Sequence, residues 1–308
     1  MTAKTTQIIR RRVDIDFDIA TPDNWYVARE DAEAFHNAIS FFFPTGERFF
    51  IESVRHYQDR ISDPVLVEQV KSFIYQEAMH AKEHARCNHV LKRAHRYGHR
   101  IERVSQTMLM LARRFSPKGF QLGVTCAIEH FTAILSDSLL RNQAQFLAGA
   151  HPAFAQLWTW HAVEETEHKA VCFDVHQHVL GNGWYSYLNR VAAMFVTTGF
   201  FLVAIVVGVR LIKKGRKTKT DGPNADHSNN LPNDAQPASP QPQKTRNLWA
   251  LLGRAVPRPL SRTLGLYVDY YRWSFHPWNH DNADLIEEWK QRFPDFGTPS
   301  GTGDAARQ

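Results

Sequence analysis

Residues 70–91 read VKSFIYQEAMHAKEHARCNHVL and place a Glu-x-x-His pair, Glu77 and His80, inside a helical pattern. Steps of three or four residues connect Val70, Phe73, Glu77, His80, His84, Cys87 and Leu91. This spacing is typical of one buried stripe on an α-helix. At about 100° per residue, Glu77, His80 and His84 share the side of the apolar residues. We therefore expect these three in the core, whereas Gln76 and Glu83 are expected to turn away, with Glu83 solvated.

A second helical segment repeats this pattern nearly ninety residues later. Its stripe contains Phe154, Leu157, His161, Glu164, His168, Val171 and Val175, again at steps of three and four. Glu165 precedes His168 by three residues, as Glu77 precedes His80. Both Glu164 and Glu165 can face the core, and the match to Glu77 and His80 favours Glu165.

Two further acids, Glu47 and Glu129, lie in apolar stripes of two other helical segments. Each of four helices thus contributes at least one carboxylate to a core position. A buried, unpaired carboxylate costs several kcal/mol or is neutralised by a pKa shift. Two divalent metal ions would supply four positive charges against four such carboxylates, and imidazoles would complete the coordination. The sequence therefore predicts a dinuclear metal site in a helical bundle.

Helical patterns cover residues 29–61 (interrupted at Pro44), 64–96, 117–147 and 152–180, with almost no strand signal. Four long helices with short links predict an all-α, antiparallel four-helix bundle. The expected organisation is an N-terminal tail over 1–24, the di-metal bundle over 25–190, an apolar helix over 191–212, a disordered basic and polar linker over 213–246, a C-terminal helical segment packing on the bundle over 247–296, and a flexible tail over 297–308.

The net charge of +6 is concentrated in one block, since residues 210–219 contain six Lys or Arg residues and no acid. Nucleic-acid binding usually needs a basic face with interleaved aromatics, so no nucleic-acid partner is expected. The block follows residues 191–209, which carry no charge, and such a run is a membrane-helix candidate. We favour a helix that lies in or dips into the membrane, or packs on the bundle as a substrate channel, with the basic block at anionic headgroups; a single span is the alternative.

Three widely spaced cysteines without a CxxC pair, and an N-terminus without an apolar signal region, favour a cytoplasmic protein. Association with the inner face of the cytoplasmic membrane is compatible with this location. The oligomeric state does not follow from the sequence.

Several segments together resemble the bacterial family of predicted metal-dependent hydrolases, which falls among the ferritin-like di-metal proteins. The segments are FFFPTGERFF, YQEAMHAKEH, AIEHFTA, WHAVEETEHKAVCFDV and SFHPWNHDN, and the likeness covers about residues 25–290. The resemblance implies a ferritin-like bundle with additional C-terminal helices. The segment His276-Pro277-Trp278 could close over the site or cap the fold, and we expect the second.

An extra histidine, His161, is similar to an arrangement in di-iron arylamine N-oxygenases, whose site carries three histidines. Carried over, this likeness implies the metal ligands Glu47, Glu77, His80, Glu129, His161, Glu165 and His168. His84 is additional to that set. It could be a ligand, a hydrogen-bond partner of a ligand, or a proton relay.

Mixed histidine and carboxylate ligation without thiolate favours iron, with manganese or zinc as alternatives. The leading hypothesis is a non-haem di-iron oxygenase or oxidase that uses O2 on an apolar small-molecule or lipid-like substrate. An electron-donor protein and a membrane surface are candidate partners. A metal-dependent hydrolase using a metal-bridging hydroxide is the first alternative, and a non-catalytic iron-binding bundle is the second.

Overall fold

The computed structural model describes residues 6–17, 22, 24–26, 29–220, 260–294 and 296–297. Over these residues the fold is an all-α bundle without strands, as the sequence predicts. The helices are α1 (Glu30–Ser40), α2 (Phe43–Arg55), α3 (Pro64–Ala94), α4 (Gly98–Phe115), α5 (Lys118–Arg141), α6 (Gln143–Gly149), α7 (Pro152–His168), α8 (Val171–Leu180), α9 (Trp184–Thr220), α10 (Leu260–Asp269) and α11 (Ala283–Arg292), with short 3-10 turns at Gln58–Arg60 and Pro277–Asn279.

Local sequence signals set several helix ends. The Asp63 side chain accepts a hydrogen bond from the Val65 backbone N–H at 2.9 Å, and Pro64 occupies the first turn of α3. Proline is tolerated there because its missing N–H would have had no partner inside the helix. At the other end of the bundle sequence, α8 stops at Gly181, whose φ of 75° lies in the left-handed region that favours glycine.

The four-helix bundle is formed by α2, α3, α5 and the consecutive helices α7 and α8. Helix α2 packs along α3, and α5 packs along α7 and α8. The predicted polar stripes are buried and lie between two apolar clusters. One cluster includes Val70, Phe73, Val171 and Val175, and the other includes Cys87, Leu91, Phe154 and Leu157. The candidate metal site therefore sits at mid-height in the bundle, with apolar packing above and below it.

Two features of the helix pattern differ from the prediction. The interruption predicted near Pro44 is present as the break between α1 and α2, but two helices predicted as continuous are divided: α5 and α6 break at Asn142, and α7 and α8 break just after His168. A further helix, α4, fills residues 98–115, for which we predicted none. It buries only a narrow face that includes Ile101 and Ser105.

The N-terminal segment is an extended strap rather than a loose tail from residue 9 onward. Its alternate residues Arg11, Val13, Ile15 and Phe17 are buried. The Gln76 side-chain amide donates to the Ile9 carbonyl at 3.0 Å, and the Ile15 N–H donates to the Glu83 carboxylate at 3.2 Å. The prediction that Gln76 and Glu83 turn away from the core, with Glu83 solvated, is therefore wrong, because this segment covers that face of α3.

Helix α9 is longer at both ends than the apolar helix predicted over 191–212. It lies along α5 and α1. Two residues of the basic block pair with acids of α1: Lys213 with Asp31, and Arg216 with Glu33. These two charges are thus used within the fold rather than left for lipid headgroups. From residue 221 the predicted linker lies outside the described residues.

By length and composition, α9 is the one helix in the described part of the chain that could cross a membrane, and 28% of its apolar window is buried. Its contacts with α1 and α5 continue along the bundle, and α10 joins α5 through an ion pair between Arg262 and Asp137. A span of its own would have to leave these contacts. The packing therefore favours a helix that lies on the bundle over a helix that spans a membrane on its own.

Candidate metal centre

The structure brings the predicted polar residues of all four bundle helices together. Glu47 comes from α2, Glu77, His80 and His84 from α3, Glu129 from α5, and His161, Glu165 and His168 from α7. Each is at most 3% exposed. Their nitrogen and carboxylate oxygen atoms form overlapping groups whose members lie within 4.8 Å of one another. This is a spacing at which a metal ion could bind several of them at once.

His168 is oriented by a hydrogen bond on its outer nitrogen. Its Nδ1 lies 2.9 Å from Gln76 Oε1. The Gln76 amide nitrogen donates to Glu167 Oε2 at 2.9 Å, so the amide oxygen must face the imidazole. Nδ1 of His168 is therefore the protonated nitrogen. In the neutral ring, Nε2 then carries a lone pair and faces Glu77 Oε1 at 3.2 Å, Glu129 Oε2 at 3.3 Å and Glu165 Oε2 at 3.5 Å.

His80 is also oriented by a hydrogen bond on its outer nitrogen, but here the outer nitrogen is Nε2 and Nδ1 faces the cluster. Nε2 lies 3.1 Å from Glu164 Oε2, so this nitrogen donates and Nδ1 is left with its lone pair. Nδ1 lies 3.7 Å from Glu165 Oε1 and has no hydrogen-bond partner among the described residues. The structure thus separates the two neighbouring acids: Glu165 faces the cluster, whereas Glu164 holds His80 from outside.

His161 is oriented by His84 through a chain of hydrogen bonds. Asn88 Nδ2 donates to the Ser40 carbonyl at 2.8 Å, so its Oδ1 accepts from Ser40 Oγ at 2.7 Å. Ser40 Oγ then accepts from His84 Nδ1 at 2.9 Å. The remaining nitrogen of a neutral His84, Nε2, accepts from His161 Nδ1 at 2.7 Å. His84 is thus a hydrogen-bond partner of His161, and it also lies in one of the possible metal-binding groups, with Glu47 and His161.

Arg11 joins the supports of His80 and His168. Its Nη1 lies 3.0 Å from Glu164 Oε1 and 2.9 Å from Glu167 Oε2, and its Nη2 lies 2.6 Å from Glu167 Oε1. One buried guanidinium thus binds both supporting carboxylates. Glu164 supports His80 directly, and Glu167 supports His168 through Gln76. Sequence reasoning missed Arg11. The available signal was the alternation of apolar and acidic residues in VDIDF, residues 13–17, which is typical of an extended chain with one buried face.

Burial and mutual repulsion of the carboxylates perturb the titration of the cluster. Burial, then the charges of Glu165 and Glu129, raises the pKa of Glu47 well above its usual value, and the same causes act on Glu77. Burial and Glu165 raise the pKa of Glu129 to about 7. Burial would also raise the pKa of Glu165, but His168 and His161 outweigh it and hold that pKa well below normal.

The donor set fits a pair of divalent cations. Both carboxylate oxygens of Glu47, Glu77 and Glu129 are buried without a hydrogen-bond partner among the described residues. His161 Nε2 lies 2.9 Å from Glu165 Oε1. A divalent ion among these atoms would offset the repulsion between the carboxylates and satisfy the orphaned oxygens.

Comparison with known families places this site in context. The sequence model of a family described as predicted metal-dependent hydrolases matches residues 9–281. The chain belongs to this family. Comparisons with curated proteins and with solved structures gave no significant match. The family match begins just before Arg11, so the N-terminal strap is part of the matched unit together with the bundle.

In this member of the predicted metal-dependent hydrolases, a pocket leads from the surface to the centre. It lies among α1, α5, α6 and α7 and has about 810 Å³ of space, including the part open to solvent. Its walls include Phe35, Leu135 and Trp158, and it reaches the candidate ligands His161 and Glu165. A mostly apolar pocket with a few polar groups is the usual form of a small-molecule site.

The segment His276-Pro277-Trp278 lies away from the cluster. His276 Nε2 lies 2.9 Å from Asp174 Oδ1 on α8, and the Trp278 ring stacks under the Lys169 ammonium at 3.9 Å. Lys169 also donates to the carbonyl of His280 at 2.7 Å. The segment thus fastens the C-terminal region to the junction of α7 and α8, which agrees with the capping role expected for it.

Proposed function

We propose that the protein is a non-haem di-iron oxidase or oxygenase that uses O2 on an apolar small-molecule or lipid-like substrate. One observation carries the proposal: three imidazoles, each hydrogen-bonded through its outer nitrogen, direct the other ring nitrogen at four buried carboxylates. The proposed ligands are Glu47, Glu77, His80, Glu129, His161, Glu165 and His168. His84 is assigned as the hydrogen-bond partner of His161.

The choice of iron rests on the donor atoms. Mixed nitrogen and oxygen ligation without sulfur suits iron, manganese and zinc, and a pair of ferrous ions is the one that supplies O2 binding and electron transfer. The cysteines of the described residues give no competing thiolate, since Cys126 and Cys172 are buried and their pKa values are raised above normal by burial.

The protein's own residues position the substrate and keep water away. The apolar walls of the pocket bind an uncharged substrate at the edge formed by His161 and Glu165. Thr132 donates its hydroxyl to the Glu165 carboxylate and so fixes the carboxylate that borders the pocket. The Phe43 ring, 4.6 Å from the His161 ring, shields that imidazole. Oxygenation of an unactivated substrate takes two further electrons, so an electron-donor protein is part of the proposal.

Metal-dependent hydrolysis is the second candidate, and the family description favours it. In such a reaction a metal-activated hydroxide attacks an ester or amide, and hydrogen-bond donors must stabilise the developing oxyanion. Apart from the carboxylate of Glu165 at its inner end, the pocket has one charged side chain, Arg29, and its other polar groups are hydroxyls, amides, imidazoles and an indole. We rank hydrolysis second because this lining suits an apolar substrate better than a polar acyl group.

A membrane surface is the proposed source of the substrate. Helices α4 and α9 expose Val104, Met108, Leu111, Leu202, Val203 and Val207, which we term the α4–α9 surface. Arg100, Arg103 and Arg114 on α4 are also exposed. Apolar residues beside arginines on one helix face are typical of proteins that bind an anionic membrane interface.

The function is tested by loading metal-free full-length protein with ferrous iron under argon and then admitting O2. We expect about two iron ions per chain and rapid O2 uptake measured with an oxygen electrode. His168→Ala and Glu77→Ala should each lose at least one ion, because each removes a proposed ligand. Glu68→Ala, at an exposed position of the same helix, is the matched control and should retain both ions.

Three outcomes separate the alternatives. Hydrolysis of 4-nitrophenyl esters by zinc- or manganese-loaded protein, with no O2 uptake by the iron form, would favour the hydrolase. Slow O2 uptake with accumulation of many iron ions per chain would indicate a non-catalytic iron-binding bundle. Unchanged metal content in both ligand variants would refute the assignment of the site.

A further inference from the structure

A second cavity lies under α9, outside the pocket described above. It is enclosed by α1, α2, α4, α5 and α9 and has about 670 Å³ of space, including the part open to solvent. Its walls include Phe42, Phe50, Leu109, Phe200 and Ile205. Protein interiors are packed like organic crystals and leave few voids larger than a water molecule. An apolar space between these helices is therefore a candidate binding site.

The chemistry of the walls restricts that occupant to an uncharged hydrocarbon. No residue that lines the cavity is charged, and its polar side chains are three hydroxyls, those of Ser105, Thr132 and Thr197. The Thr132 hydroxyl is already engaged with Glu165. A charged headgroup moved into such surroundings would lose its hydration without a partner, whereas an alkyl chain would gain free energy from leaving water.

The cavity adjoins the pocket beside the candidate metal centre and shares part of its wall. Both spaces are lined by Ile39, Phe43, Thr132 and Leu135. Phe43 is only partly buried although it lies in the centre of the bundle, because its ring borders both spaces. Its ring centroid is 4.6 Å from that of His161 and 4.7 Å from that of His84. A single elongated molecule could thus pass Phe43 and occupy the cavity with one end and the pocket with the other.

We propose that this cavity is a tail chamber, which binds the hydrocarbon chain of an elongated, uncharged substrate whose reacting part lies beside His161 and Glu165. The inference rests on the proposed function and names its substrate class as molecules with an alkyl or acyl chain. The chamber also explains why α9 is apolar on both faces: its inner face lines the chamber with Thr197, Phe200 and Ala204, and its outer face belongs to the α4–α9 surface.

The test measures binding of 1-hexanol, 1-octanol and 1-decanol to full-length protein by isothermal titration calorimetry, with and without bound manganese. Each added methylene that enters the chamber should tighten binding about fourfold, so each two-carbon step should give about 15-fold. The dependence on chain length should be the same in the metal-free and metal-loaded protein, because the walls of the chamber contain no proposed metal ligand.

Filling the chamber should abolish the chain-length effect. Ala204→Phe places a ring in the chamber from α9, and Leu109→Trp does so from α4. We expect each to weaken 1-decanol binding at least 30-fold while helicity by circular dichroism and manganese content stay unchanged. The matched control is Val203→Phe, next to Ala204 but 63% exposed, which should bind 1-decanol like the natural protein.

The possible failures are distinguishable. If Ala204→Phe and Leu109→Trp both bind 1-decanol normally, the tail chamber is refuted, and this holds whether or not the protein binds two metal ions. If Leu139→Trp, in the wall of the catalytic pocket, removes binding while the chamber variants do not, the chain lies in that pocket and the inference is wrong. Normal 1-decanol binding in a protein that takes up no metal would leave the chamber standing and refute the proposed function instead.

Discussion

The side of the metal centre that faces the N-terminal strap is held by charged groups, whereas the opposite side borders apolar side chains and open space. On the first, the Arg11 side, one guanidinium bonds Glu164 and Glu167, which support His80 directly and His168 through Gln76. On the second, the pocket side, His161 is supported by a neutral chain through His84. Aromatic rings and the catalytic pocket complete that side.

The difference indicates that one side of the centre holds its ligands rigidly and the other side gives a substrate access. Charge-assisted hydrogen bonds are shorter and stronger than neutral ones, so the Arg11 side fixes the orientation of its imidazoles. The pocket side uses neutral bonds and apolar contacts, which leave room for a substrate beside Glu165. Partners of metal-bound histidines typically set metal affinity and reactivity as much as geometry does, and here the two sides should respond differently to substitution.

The largest effect is expected from Arg11→Met on the Arg11 side. This change leaves Glu164 and Glu167 buried without their cation, and removal of one partner from a buried ion pair costs about 3–5 kcal/mol. We expect the free energy of unfolding in urea to fall by about that amount in the metal-free protein. Arg10→Met, at the exposed neighbouring residue, should change it by less than about 1 kcal/mol.

A rescue experiment separates lost charge balance from lost packing. Adding Glu164→Gln and Glu167→Gln to Arg11→Met removes the stranded charges and should recover at least half of the lost stability. Recovery of none of it would mean that the arginine acts by filling space, and the contrast between the two sides of the centre would fail on its charged side.

A matched pair of substitutions compares the neutral supports on the two sides. Gln76→Leu removes the acceptor for His168 Nδ1, and His84→Leu removes the acceptor for His161 Nδ1. Loss of such a partner typically weakens metal binding 10- to 100-fold, and we expect this range for both, measured by competition with a fluorescent chelator. His89→Ala, at an exposed position of α3, should bind metal normally.

Alcohol binding then sharpens the contrast between these variants. His84 contacts Phe43 at the border of the tail chamber, so His84→Leu should change the affinity for 1-decanol severalfold. Gln76→Leu, on the Arg11 side, should leave that affinity unchanged. Equal changes in 1-decanol affinity in the two variants would contradict the inference that a substrate reaches the centre from the pocket side alone.

The bundle and the inner face of the site were predictable because both follow from local spacing. Steps of three and four residues identified the stripe of α3, and all of its positions from Val70 to Leu91 are buried. The two Glu-x-x-His pairs identified Glu77 with His80 and Glu165 with His168. Single acids in apolar stripes identified Glu47 and Glu129. An acid in a buried stripe is costly unless compensated, so its position alone carried the metal prediction.

The supports of the ligands could not be predicted in the same way, since they depend on contacts between distant parts of the chain. Arg11 meets Glu164 across 153 residues, and helical periodicity contains no information on such a contact. The same contact decides between Glu164 and Glu165, which are adjacent and both buried. Gln76 and Glu83 were expected to turn away from the core, with Glu83 solvated, because the strap that covers them lies in a segment without helical period.

A smaller effect concerns the titration of the centre that both sides share. Carboxyl groups with raised pKa values, such as Glu129 at about 7, keep the metal-free fold more protonated than the unfolded chain. Their contribution to stability is therefore present at low pH and lost as pH rises from about 4.5 through the raised values. Metal binding displaces those protons, so the stabilisation by metal should grow with pH, by about 1.4 kcal/mol per pH unit for each proton released.

Thermal unfolding with and without 1 mM manganese, from pH 5.5 to 7.5, checks this sign. Taking the difference between the two conditions cancels groups remote from the metal, including His36, whose pKa burial lowers to about 4. A metal-induced shift that is constant or that shrinks with pH would contradict a site built from protonated carboxyls.

The smallest effect is expected at the outer edge of the pocket side, where the α4–α9 surface meets solvent. Leu111→Glu and Val207→Glu each place a charge where an apolar side chain would enter a lipid interface. Full burial of one such side chain is worth about 1.5–3 kcal/mol, and an interfacial residue buries only part of its area. We therefore expect three- to tenfold weaker sedimentation with vesicles of phosphatidylglycerol and phosphatidylcholine for each variant. The control is Val65→Glu on α3, which is also exposed but lies outside this surface and should sediment normally.

Because Leu111 and Val207 lie on the outer faces of the helices that enclose the tail chamber, their variants should retain full 1-decanol affinity in solution. Loss of vesicle binding with intact alcohol binding would place the membrane contact outside the chamber, and normal vesicle binding in both variants would remove the membrane from the proposal without touching the metal centre.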